Sequence, residues 1–122
     1  MTKPLYWRPL ARQDADSLAD WYARQGGLPL EDAFIAALEA GARLIARHPG
    51  SGSTRHAALF PDLPVPLRFM PLKRFDRVLI YYLEHAGHVE IVRVWNAARD
   101  IPADLSPADL PSPLPREPKD PA

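Results

Sequence analysis

The chain has 122 residues, 47% of them hydrophobic and 25% charged, and its 15 basic and 15 acidic side chains give a formal net charge of zero. That composition fits one domain with one core, and the neutral balance excludes a chain-wide field drawing the protein onto nucleic acid or a membrane surface. With no cysteine, disulfide frameworks and thiolate metal sites are excluded, and a reducing compartment, by default the cytoplasm, is expected.

Lys3, Arg8 and Arg12 interrupt the N-terminal stretch, which therefore lacks the apolar core of a signal peptide. No segment reaches the roughly 18 apolar residues of a membrane helix. Leu5 to Arg8 is a short β-type run, and Pro9 then suits the first turn of a helix, where a missing N–H costs nothing. Ala11, Ala15, Leu18 and Tyr22 recur at helical spacing and form one apolar stripe, with Trp21 at its edge and Gly26-Gly27 as its terminator. A second helix is expected from about Leu30 to His48, with Phe34, Leu38, Gly41 and Ile45 as its stripe and Pro49-Gly50 ending it. The connection "QGGLP" is short, which makes the two helices antiparallel neighbours in an αα-hairpin.

Gly50 to Pro66 is small, polar and proline-punctuated, and reads as a surface loop long enough to bind something. Three strands follow, Leu67 to Phe75, Arg77 to Glu84 and His88 to Asn96, the last two joined through "EHAGH" as a hairpin. Alternation places Val78, Ile80 and Tyr82 opposite Arg77, Leu79, Tyr81 and Leu83, and Val92 and Val94 opposite Ile91, Arg93 and Trp95. Apolar residues on both faces predict central strands, one face under the helices and the other partly covered or forming a groove. Pro71 predicts an edge or a bulge in the first strand. After Ile101, a run of prolines with only Leu105, Leu110 and Leu114 as large apolar residues predicts an extended tail, so the domain is expected over residues 1–101 and the tail over 102–122.

The order of these elements, with "YWRPLARQDADSLADWYA", "LIARHPGSG", "LRFMPLKRFDRVLIYYLE" and "VEIVRVWNAARD", resembles the ParE branch of the RelE/ParE toxin superfamily of bacterial type II toxin–antitoxin systems. The resemblance covers Leu5 to about Ile101. It implies an α+β fold, in which a short N-terminal strand and an αα-hairpin pack on a curved antiparallel sheet ahead of the proline-rich tail. It also implies a ParD-like antitoxin that wraps and neutralises the toxin in a hetero-oligomer. ParE-like toxins are associated with poisoning DNA gyrase and RelE-like relatives with cutting mRNA on the ribosome; fold does not decide between them.

A ribonuclease of the RelE type needs cations for phosphate and a group that moves a proton. Arg77 and Arg99 match places where the nuclease branch carries arginines, and Arg93 completes that set. The companion Tyr or His near the end of the last strand is absent: Asn96 stands where many ParE-like chains have His, and an amide has no useful pKa near neutrality. The reading that follows is a binding poison of gyrase, not itself an enzyme. The alternatives are a ribosome-dependent mRNA endonuclease and a non-toxic homologue that only binds its antitoxin. Target- or antitoxin-binding residues are expected at Arg68, Arg74, Arg77, Arg93, Trp95, Asn96 and Arg99.

Each of these also has a plainer role. Arg99 beside Asp100 can simply tie down the sheet's end through a surface ion pair. Arg93, on a central strand between Ile91 and Trp95, demands a buried partner, with Glu84 or Glu90 the expected carboxylate. Tyr81, Tyr82 and Trp95 read as core before they read as stacking platforms. The local excess of basic residues over Asp76, Glu84 and Glu90 is too small for independent nucleic-acid binding. His85 and His88 flank the hairpin turn without a further His or Cys at ligand spacing, so neither metal nor cofactor is expected. His48 and His56 are isolated, and Ser51, Ser53 and Thr54 lie in no nucleophile motif.

Overall fold

The computed structural model describes residues 2–97. Arg99, Asp100 and the proline-rich segment, and with them the expected boundary at 101/102, lie outside the described residues. In chain order the elements are β1 (Leu5–Trp7), α1 (Pro9–Arg47), two short 3-10 turns (Pro49–Ser51 and Ala57–Leu59), β2 (Leu67–Leu72), β3 (Phe75–Glu84) and β4 (Val89–Asn96).

Although α1 covers 39 residues, Gly27 breaks it at φ 74°, ψ −168°. That region of backbone space is essentially closed to residues with a Cβ. A straight helix would hold Tyr22 and Phe34 roughly 18 Å apart along its axis. Their ring centroids are instead 4.9 Å apart. The chain therefore doubles back at Gly27, and the two arms form the expected αα-hairpin, with Pro29 in the first turn of the second arm.

Four strands form one sheet in the order β1-β4-β3-β2. β2, β3 and β4 are antiparallel, as the alternating hairpin pattern predicts, whereas β1 adds to β4 in parallel, Leu5 beside Val89 and Trp7 beside Ile91. Pro71 is on edge strand β2 and beside a register shift, so both readings of that proline hold.

One sheet face packs under the helix pair. Ala11, Phe34, Leu38 and Ile45 from α1 meet Leu72, Val78, Ile80, Tyr82, Val89, Ile91 and Val94. Gly41 faces this layer at close range: a Cβ there would lie 3.0 Å from Leu72 Cδ2 and 3.2 Å from Ile80 Cδ1. The glycine lets the second arm sit low on the sheet. The opposite face is not an open groove. Phe60, Leu63 and Val65, from the segment expected to be a surface loop, roof Leu67, Phe69, Leu79, Tyr81, Leu83 and Val92. The Tyr82 hydroxyl pins the start of that segment, donating to Pro49 O (2.6 Å) and accepting from Gly52 N–H (2.9 Å).

One facing assignment is corrected. Tyr81 pairs with Arg93 but Tyr82 with Ile91, leaving Val92 as an extra residue on β4. This bulge reverses the alternation in mid-strand, so Val92 joins the outer cluster while Val94 and Ile91 share the helix side.

The reversal in α1 predicts that Gly27→Ala destabilises the protein by about 1–3 kcal/mol. Gly50→Ala, where an added Cβ meets nothing within 4 Å, should be near neutral. Urea denaturation of the two variants checks the contrast.

Candidate functional site

Beyond Ile91, β4 outruns its short partner β1, and its outer edge turns toward the first arm of α1. Asp14 from that arm occupies the position a neighbouring strand would fill. Its carboxylate accepts from Arg93 Nε (2.6 Å) and Nη2 (3.0 Å), and its Oδ2 also accepts from the Val94 N–H (3.1 Å). The guanidinium lies 4.3 Å from the Trp95 ring centroid. A bidentate pair with a stacked aromatic fixes an arginine far more tightly than a surface bridge does.

Arg93 has the internal partner that its central-strand position demands, but the carboxylate is Asp14 rather than Glu84 or Glu90. Glu84 is held by Lys3 (3.1 Å), with Arg68 at 3.9 Å, and Glu90 by Arg8 and His85. Asp14 also carried a legible signal. It stands three residues after Ala11 and four before Leu18, on the apolar stripe of the first arm, where a carboxylate needs a buried partner.

This pair floors a groove of about 500 Å3 lined by Asp14, Ser17, Leu18, Trp21, Arg24, Arg93, Val94, Trp95 and Asn96. Trp21 is 40% exposed. The Trp95 indole N–H is buried and finds no acceptor among the described residues. Three residues singled out from sequence, Arg93, Trp95 and Asn96, thus converge here; Trp21, placed at the stripe's edge, was given no role, and Ser17 and Arg24 were passed over because helical residues off the apolar stripe read as solvated surface.

The remaining arginines are dispersed. Val78 pairs with Asn96, so Arg77 is one residue from the groove's end, exposed and without a hydrogen bond or ion pair to a described residue. Arg74 is exposed in the β2–β3 turn at φ 74°, its guanidinium 6.0 Å from the Phe75 ring. Arg68 lies away from the groove, where its Nη1 donates to Gly50 O (3.1 Å) and Gly52 O (2.9 Å).

No histidine lines the groove. His56 lies in the roof of the other sheet face, stacked on Phe69 at 4.5 Å and 3.0 Å from the Tyr81 hydroxyl. Burial, and then the charge of Arg55, hold its imidazole below the ordinary range. Burial pushes the Tyr81 phenol up to about 12. At neutral pH this pair is a neutral imidazole beside a protonated phenol. The described residues with metal-ligating geometry are His85, His88 and Glu90, at the opposite end of β3 and β4. Burial first, then the charge of His85, lowers the His88 pKa. Counting only His and Cys overlooked Glu90, which follows His88 by two residues on its strand.

A second, smaller groove, about 360 Å3, runs between the helix arms and β1. Trp7, Ala15, Ala19, Phe34, Ile35 and Leu38 give it an apolar floor, and Arg12, Asp16 and Glu39 give it a charged rim.

A family model described as the ParE toxin of type II toxin–antitoxin system, parDE, matches residues 5–101. A search of curated proteins found no match. Among solved structures, a chain from the chromosomal ParDE toxin–antitoxin system of P. aeruginosa is similar in fold. It superposes with a TM-score of 0.63 at 17% identity, covering 78% of this chain and 96% of that one.

Asp14→Ala removes both carboxylate bonds from a largely buried guanidinium and the acceptor of the Val94 N–H, and is expected to cost on the order of 3 kcal/mol. Adding Arg93→Met should recover much of that loss, and Arg77→Ala alone should stay within about 0.5 kcal/mol. Urea denaturation midpoints of the three variants provide the check.

Proposed function

The chain belongs to the ParE toxin family of type II toxin–antitoxin systems, and from that premise we propose that it is neutralised by a ParD-like antitoxin and acts by binding DNA gyrase, so that replication stops. The observation that carries the reading is the state of Arg93. Its guanidinium is forked to Asp14 and stacked on Trp95, in a groove that no imidazole lines. Such a groove presents aromatic and polar surface to a partner, and its described lining holds no imidazole to act as acid or base. Arg77, exposed beside the groove's end, extends that contact surface.

The ribonuclease alternative needs the acid or base that the groove lacks. Tyr81, the nearest phenol in strand register with Arg93, is fully buried in the roofed face and stays protonated at neutral pH. That face is closed over by Phe60, Leu63 and Val65, which leaves no open platform for an RNA strand.

The antitoxin contact is assigned to the groove between the helix arms. An apolar floor with a rim of both charges suits the apolar face of an amphipathic helix. The solved neighbour from P. aeruginosa is named as a ParDE toxin–antitoxin system, which supports a partner of that kind here. Among the described residues no helix is long and apolar enough to cross a membrane. The proposed place of action is the cytoplasm, where gyrase works.

Controlled expression in a bacterial host without the antitoxin tests the target. Labelled thymidine incorporation is expected to fail within the first minutes, ahead of labelled methionine. Methionine failing first would support ribosomal cleavage instead, and neither failing would leave a partner-binding protein without a poison.

A further inference from the structure

We propose that His85, His88 and Glu90 form a binding site for a borderline divalent cation, with Zn2+ the best fit, at the end of the sheet remote from the groove. The inference does not depend on the chain's action on gyrase. It begins with the hairpin. Glu84 pairs with Val89, and the His85 N–H donates to His88 O (2.9 Å), closing the turn around Ala86 and Gly87. That pairing sets the two histidines side by side across the turn, and strand periodicity puts Glu90 on the same face as His88. The imidazoles stack with centroids 4.5 Å apart and planes 22° apart. His85 Nε2 is 2.9 Å from Glu90 Oε1, and one ligand atom from each of the three residues lies within 4.8 Å of the others.

Tetrahedral Zn2+ holds its ligands at roughly 2.0–2.2 Å, which places donor atoms about 3.3 Å apart, so small side-chain rotations bring this set into range. Supporting contacts are already in place. Arg8 takes Glu90 Oε2 and leaves Oε1 facing the histidines, and Lys3 Nζ donates to His85 O (2.7 Å), bracing the turn. Neighbours of this kind orient ligands and tune affinity. The carboxylates of Glu84 and Glu90 offset most of the positive charge that Lys3, Arg8 and Arg68 bring to this end of the sheet. Two imidazoles and one carboxylate suit Zn2+, Co2+ or Ni2+ rather than the all-oxygen preference of Mg2+ and Ca2+. A fourth position is left for water or for a donor from a bound partner.

The test is calorimetric titration of the untagged full chain with Zn2+ in chelator-free buffer, alongside His85→Ala, His88→Ala and, as a control, His48→Gln at the exposed end of α1. Uptake of one ion per chain is expected, weakened about tenfold or more by either cluster variant and unchanged by the control. Circular dichroism checks that the variants are folded. Should either lose its fold, the Co2+ absorption spectrum of the unaltered protein decides, with intense tetrahedral bands expected. No uptake by the unaltered chain, uptake undiminished in the folded variants, or a weak octahedral Co2+ spectrum would each overturn the proposal.

Discussion

The architecture around the groove depends on one carboxylate. Asp14 bonds two nitrogens of a buried arginine and the backbone N–H of the next residue, so it joins the first arm of α1 to β4 where β1 no longer reaches. An uncovered strand edge exposes unpaired donors, and a buried guanidinium without a carboxylate is costly. Asp14 meets both requirements at once. The same bonds fix where Arg93 and Trp95 lie, and hence the floor of the groove.

The clamp works because β4 is irregular. The bulge at Val92 breaks the two-residue alternation, sending Val92 outward and Val94 inward while Arg93 reaches the helix. In a regular strand Val94 would share the face of Val92 and be lost from the core under the helices. Two cores result, one beneath the helix pair and one beneath the roof of Phe60, Leu63 and Val65. The roofed core uses the sheet face that would otherwise offer stacking surface, which moves the accessible aromatic and cationic side chains to the groove at the edge of β4.

Much of this was legible in the sequence. The helix stripes through Ala11, Leu18, Phe34 and Ile45, the reversal at Gly26-Gly27, the strands and the edge placement of Pro71 follow from local periodicity and backbone chemistry, which short windows carry. The parallel addition of β1, the bulge and the roof were not legible, because each is decided by residues far apart in the chain. Of the groove, Arg93, Trp95 and Asn96 were identified on the strand, and the need for a buried partner was clear. Asp14 went unassigned although its place on an apolar stripe marked it. Arg68, expected as a binding residue, also bonds the backbone at Gly50 and Gly52, a contact set by tertiary approach that no short window carries.

The family places the chain among the toxins of type II toxin–antitoxin systems, and the structure offers two surfaces of different character. The groove between the helix arms is apolar with a mixed rim, whereas the groove at β4 is built around a satisfied ion pair and two indoles. A rigid, preformed β4 groove is the central structural requirement, and amide hydrogen exchange at Val94 tests it most directly. Protection comparable to that of the β3–β4 ladder is predicted for this edge amide, because the Asp14 carboxylate takes the place of a strand. Exchange at the rate of an unpaired surface amide would show that Asp14 does not hold the helix to the strand, and would contradict a preformed groove.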